Sequence, residues 1–301
     1  MALPRPVSAR RVFRPTRRVS WGTRILAALI LLTAIAATAA FVAVVLPARL
    51  ADLGVREGQE LGAAKGEAAT VQGSLAVLFG EMNAAGPFAL PPDRLASDLA
   101  LARTTEKQAG DALGHAQAAG AYLADAGGVP FQLHPPAFLK ADQPSASQLQ
   151  TSLQAAVKLA HAATLQLTLA QTVAADEQAR SGQLMPALAS RSWASAARAA
   201  ASLQTQLRSE QLGAANPDAL LDPLWARWID ARYAYALTAQ SYALNAASGQ
   251  TLTAQELLST MSSQAAQVQA ALAAARRDAA PWAQRSVEPL LASAARGPAG
   301  S

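Results

Sequence analysis

The chain has 301 residues, about half of them hydrophobic, no cysteine and a formal net charge of +5. Without cysteine there are no disulfides, zinc ribbons, thiol catalysis or cysteine-linked lipid anchor. The positive balance does not mark a nucleic-acid binder, whose Lys and Arg spread over one face. Here seven arginines (Arg5, Arg10, Arg11, Arg14, Arg17, Arg18, Arg24) crowd a first segment, 1–24, that holds no acid.

Taking those seven from 25 basic residues leaves 18 against 20 acidic ones, so the rest of the chain is near −2. The apolar run 25–46 follows without one charged residue. A helix needs about 20 apolar residues to cross a bilayer, and flanking arginines stay on the cytoplasmic side. The same arginines would also be drawn to anionic head groups. The expectation is a single transmembrane helix over 25–46, its N-terminus cytoplasmic, in the inner cell membrane. The bulk of the chain is then extracytoplasmic. Arg10-Arg11-Val12-Phe13 has the look of a twin-arginine export signal, but the apolar run begins too far downstream for one compact signal. The small-residue site Ala37-Thr38-Ala39 is followed by more apolar chain, and the run exceeds the 7–15 residues of a signal core. An uncleaved anchor is therefore expected ahead of a cleaved signal, which would release a secreted helical protein.

Alanine, the best helix former, is abundant, and Arg outnumbers Lys, which reads as the coding bias of a high-GC bacterium. Helical periodicity runs through 47–296, with Pro and Gly as punctuation. The first helix is expected over 50–85, with Leu61, Ala64, Ala68, Val71, Leu75, Leu78 and Met82 forming a heptad-like seam. After Pro91-Pro92, Asp93 is placed to cap a second helix, with Leu95, Leu99, Ala102, Glu106, Ala109, Leu113, Ala116, Gly120 and Leu123 on its seam. Residues 127–145 hold enough proline to forbid a helix and read as a long packed connection, the first site candidate by position. A third helix over 147–181 shows a ridge of every fourth residue: Leu149, Leu153, Val157, His161, Leu165, Leu169 and Val173. Gly182 and Pro186 mark a turn. A fourth helix over 187–214 follows, with Trp193, Ala196, Ala200, Leu203 and Leu207 inward. Asn216-Pro217 starts a fifth over 218–247. A sixth, 253–279, stops before Pro281, with a short helix to 295 and a loose end at 297–301. The fold class expected is all-α: the membrane helix, then an elongated up-and-down antiparallel bundle of about six helices, in part coiled-coil-like.

Two constellations stand out. Gly54, Gly58, Gly62 and Gly66 recur at steps of four, and each glycine inside a helix costs about 0.5–1 kcal/mol relative to Ala. Close approach of another backbone would compensate, either inside the chain against Gly110 and Gly114 or between protomers. A deformable element just above the membrane is the third reading. Trp225, Trp228, Tyr235 and Tyr242 share one helical face with Arg232. They read as an aromatic core, or as a groove in which Arg232 offers a fixed charge to an anion. Glu106 is the expected mate of Arg232. The histidines, His115, His134 and His161, have no partner at metal-ligand spacing. Asp111 is expected to orient His115, and His161 to be a satisfied core residue. No P-loop, dinucleotide fingerprint or nucleophile elbow occurs, so no cofactor, metal or enzymatic activity is expected. The functional expectation is a structural or interaction component of the bacterial cell envelope, a scaffold or adaptor. Its partners are the membrane, through one span, and an envelope protein or a second copy, with no nucleic acid. The alternative is a ligand-sensing bundle that signals through a partner protein.

Overall fold

The structure, a computed structural model, describes residues 21–130 and 135–296. All regular structure among them is helical. The chain divides into two units, residues 1–52 with 129–133 and residues 53–128 with 134–301. In the first, α1 (Trp21–Ala40) buries none of its side chains. Its polar side chains bond inward: Thr33 donates to the Leu29 carbonyl at 2.9 Å and Thr38 to that of Ala34 at 2.8 Å. A hydrocarbon surrounding demands that economy of polar atoms. Among the described residues one helix, beginning at Trp21, is long and apolar enough to cross a membrane. A π-helical turn, Phe41–Val45, follows α1.

In the second unit the helices are α2 (Leu46–Ala85, from Leu53 on), α3 (Pro92–Gly127), α4 (Ala137–Ala179), α5 (Met185–Ala189), α6 (Trp193–Ala214), α7 (Pro223–Ala247), α8 (Thr251–Ser286) and α9 (Glu288–Ala295). The expected α2 seam is buried at every position. Its Val71, Leu75, Leu78 and Phe79 pack with Leu95 and Leu99 of α3 and Leu159 and Leu167 of α4. Each fully buried Leu there contributes about 1.5–3 kcal/mol. A second core gathers Leu184, Ala200, Leu203 and Leu207 with Ala236 and Ala239 of α7. Neighbours run antiparallel: Gln150 of α4 donates to the Ala116 carbonyl at 2.8 Å, and further along α4 His161 meets the earlier Glu106 at 2.7 Å. On α6 and α7, Gln204 donates to Gln240 at 2.8 Å and Gln211 to Asp230 at 2.7 Å.

Several boundaries differ from the expectation. Pro91 occupies the cap position of α3, and Asp93 lies in its first turn without a side-chain cap bond. There its charge still complements the helix dipole. The connection after α3 is short, because α4 begins at Ala137 and runs through Pro144. Residues 131–134, which include Phe131, Leu133 and His134, lie outside the described residues. In the same way α8 passes Pro281 and ends at Ser286. Both prolines are exposed, so the carbonyl that each leaves unbonded can meet water, and the helix loses one bond without breaking.

Gly182 does not turn the chain. The π-helical stretch Arg180–Leu184 carries it into α5. The reversal comes at Arg191, whose φ is +55°. Asn216 caps a short 3-10 turn, Pro217–Ala219, and α7 starts later, where the Asp222 side chain accepts from the Leu224 amide at 2.9 Å. The every-fourth ridge of α4 is only partly inside: Val157, His161 and Leu165 are half-buried, while Ala156, Leu159, Ala160, Ala163 and Leu167 are buried. With 3.6 residues per turn, a step of four drifts about 40°, so such a ridge winds off the buried face.

Candidate functional site

Trp228, Arg232 and Tyr235 stand three and four residues apart on α7, which stacks them on one face. They line a cavity of roughly 420 Å³ within the second unit. That volume lies in the range of small-molecule sites, about 300–1,000 Å³. Phe88 closes one side from the turn after α2. Val173 and Glu177 come from α4, Leu203 and Leu207 from α6, and Val268, Leu272 and Arg276 from α8. Arg180 and Met185 reach it from the π-helical stretch and α5. Such π-helical insertions occur often at functional sites. The void has a volumetric cause. Ala170, Ala174 and Ala265 fill little space, where Trp228, Phe88 and Tyr235 hold the helices apart.

Arg232 is 5 % exposed and its Nη1 donates to Glu210 Oε2 at 2.8 Å. The guanidinium carbon lies 4.9 Å from the centre of the Trp228 ring, a cation–π stack. Behind Arg232, Glu210 and Asp176 are buried side by side. Burial pushes Glu210 up to about 8, with Asp176 beside it adding to the rise and Arg232 opposing it. Burial raises Asp176 as well. Glu210 therefore keeps a proton to higher pH than an ordinary carboxyl does. Two buried donors of this group, Arg232 Nη2 and Trp228 Nε1, make no hydrogen bond, and the Glu210 and Asp176 carboxyls meet each other. Both donors belong to residues that line the cavity. Buried donors without partners cost about 1–3 kcal/mol each. At the cavity wall Arg180 is paired with Glu177.

The aromatic set is thus divided. Trp225 is 1 % exposed and packs on Phe88 at 4.8 Å and on Trp228 at 5.7 Å, as core. Tyr242 lies edge-on to Trp193 at 5.6 Å, away from the cavity lining. The mate of Arg232 is Glu210 on α6 and not Glu106, which instead meets His161 and accepts from Thr164 at 2.8 Å. His161 is half-buried at the α3–α4 contact. His115 is oriented by Glu60 on α2, at 2.5 Å. The glycines take no part in the cavity. Gly54 meets the Phe138 ring, where an added Cβ would lie 3.2 Å from it. At Gly58, Gly62, Gly66, Gly110 and Gly114 an added Cβ would meet nothing within 4 Å. The chain does not use them for close helix packing.

Glu210 and Asp176 carry the site's electrostatics, and spacing signals both. Glu210 lies three residues beyond Leu207, and Asp176 three beyond Val173. Glu210 sits on the buried face of α6 between Leu207 and Ala214, and Asp176 ends the buried face of α4. Compared with family models, curated proteins and solved structures, the chain matches none. The geometry of this cavity is therefore what speaks to function.

Proposed function

We propose that the chain is a single-pass membrane protein whose extracytoplasmic helical bundle binds a small molecule beside Arg232. The apolar, unburied α1 supports the anchor, with the arginine-rich segment cytoplasmic. The antiparallel contacts of α3 with α4 and α6 with α7 support an up-and-down path for the six long helices. The observation that carries the ligand-binding reading is the cavity, formed against a buried arginine with an unbonded Nη2. A signal from such a site passes through a partner protein.

The test is thermal unfolding of the full chain in nanodiscs against a small-molecule library. A ligand at a hundred times its Kd stabilises the folded state by about 2.7 kcal/mol, a readable rise in Tm. The rise should vanish in Val268→Trp, which fills the cavity. A library without one saturable hit sinks the reading. Topology is read separately with Ser259→Cys in this cysteine-free chain: an impermeant maleimide should label it in intact cells.

A scaffold or adaptor role is the second reading. Gly58, Gly62 and Gly66 form an exposed ridge with open space above it, which another helix can approach closely. Gly58→Cys and Gly62→Cys should then form a disulfide-linked dimer, or cross-link to an envelope protein, under oxidation. Neither product appearing removes the support for this role.

A further inference from the structure

We propose that the ligand of the cavity is a monocarboxylate on an apolar body, acyl or aromatic, whose two oxygens take the Arg232 Nη2 and Trp228 Nε1 donors. This rests on the small-molecule reading above and narrows it to one chemical class. The two unbonded groups belong to residues of the wall and are donors only, so an occupant that reaches them must bring acceptors. The wall carries three arginines, Arg180, Arg232 and Arg276, against the single acid Glu177. A cation or a zwitterion presenting its ammonium is disfavoured there.

A bond from a guanidinium to a carboxylate is charge-assisted and about twice as strong as a neutral one. Arg232 is rigid in this role. Glu210 fixes Nη1 at 2.8 Å and the Trp228 ring lies 4.9 Å from the guanidinium carbon. Its Nη2 is thus pre-positioned, which lowers the ordering cost of binding. A phosphate monoester fits less well. It brings up to two charges and three acceptor oxygens, against two buried unbonded donors. Arg180 is already tied to Glu177, and Arg276 is exposed. Apart from Tyr235 and Gln269, the rest of the wall, with Leu95, Val173, Leu203, Leu207 and Leu272 among it, is apolar and suits a hydrocarbon body.

Charge and proton are linked at this site. A bound carboxylate adds a negative charge next to Arg232 and its partner Glu210, which favours the protonated form of Glu210. The charged groups facing Arg232 are Asp176, Glu177 and Arg180 from α4 and the stretch after it, Glu210 from α6, and Arg276 from α8. Carboxylate affinity should therefore fall as pH rises past the point where Glu210 ionises.

The experiment uses the full chain in nanodiscs with octanoate, 1-naphthoate, octanol, octyl phosphate and octyltrimethylammonium. Binding is read by quenching of tryptophan fluorescence and checked by titration calorimetry. Octanoate or 1-naphthoate should saturate one site, at least about tenfold tighter than octanol or the ammonium probe. Which of the two acids is tighter separates an acyl from an aromatic source. Trp228→Phe keeps the ring, removes one donor and should weaken the acid severalfold while leaving octanol unchanged. Arg232→Met should weaken it at least tenfold, and Val268→Trp should abolish it. Octanol binding as tightly as octanoate, with both lost in Val268→Trp, overturns the carboxylate and leaves the small-molecule site standing. So does tighter binding of octyl phosphate. Acid binding that survives Val268→Trp lies elsewhere and overturns the proposal. If no probe and no library compound saturates, the small-molecule reading falls with it.

Discussion

The outer face of α2 and the inner face of α7 carry equally regular sequence patterns, glycines at steps of four and aromatics at steps of three and four. The structure uses them in opposite ways. Gly58, Gly62 and Gly66 are exposed and touch nothing, whereas Trp225, Trp228 and Arg232 are buried among other helices. Periodicity places residues on a face, and only the neighbouring helices decide whether that face is covered. One glycine belongs to the second group. Gly86, just after α2, has φ +84°, and an added Cβ would lie 2.4 Å from Cζ2 of Trp225.

The inner face should be the sensitive one. Removing one member of a buried ion pair costs about 3–5 kcal/mol when the other charge is stranded. Arg232→Met should come closest to that loss at pH 9, above the value of about 8 to which burial pushes Glu210. At pH 6 Glu210 can hold its proton, and the loss should shrink. Denaturant unfolding at the two pH values checks this, and equal losses would mean that the carboxyls do not answer to Arg232. Gly86→Ala comes next. The backbone region it occupies costs a non-glycine residue about 1–3 kcal/mol, and forcing Trp225 aside adds about 1–3 kcal/mol. A Tm within a degree of the wild type would show that the contact with Trp225 is absent.

The pH dependence of the unmodified protein is a smaller and more specific effect. Glu210 is pushed from an ordinary value of 4.5 up to about 8, chiefly by burial. Between those values the folded chain keeps a proton that the unfolded chain gives up. The associated stability is fully present below about 4.5 and is lost as pH rises through 8. Burial raises Asp176, Glu57 and Asp222 in the same sense. His115, raised by its bond to Glu60, also loses its contribution as pH rises. Glu177, held low by Arg180, acts the other way, but below 4.5 and outside this window. The wild-type Tm should therefore fall from pH 5 to pH 9. The difference from Glu210→Gln, whose profile should be flatter, isolates this one group. Parallel profiles would place the proton elsewhere.

Much of the fold was legible because it rests on local rules. Helix type follows from alanine content, and the α2 seam from alternating steps of three and four, which stay on one side of a helix. The α4 ridge is buried only in part, at Leu149, Leu153, Leu169 and Val173, because steps of four alone do not. Pro144 and Pro281 looked like stops, yet each only forgoes one bond on an exposed face. The site was half legible. Trp228, Arg232 and Tyr235 share a face by spacing, but the choice of Glu210 over Glu106 depends on which helix lies opposite α7. The cavity was not legible at all. It arises from a mismatch between small side chains on α4 and α8 and large ones on α7 and the Phe88 turn, and no single segment records such a sum.

The smallest expected effect bears on the outer face of α2. Glycine inside a helix is less favourable than alanine by about 0.5–1 kcal/mol. At Gly62 an added Cβ meets nothing within 4 Å, so no contact within the chain opposes the change. For an isolated chain, Gly62→Ala should therefore stabilise by about 0.5–1 kcal/mol, the reverse of Gly86→Ala. If the ridge is where another helix docks, the same methyl group stands between two backbones. The variant should then gain stability as a dilute monomer and lose association. Thermal unfolding at low and high protein concentration separates the two. A gain that is equal at both means that the ridge is free in solution and that the glycines there serve no contact. A gain that turns to a loss at high concentration makes the outer face of α2 the interface between chains, and leaves the inner face of α7 as the place for a ligand.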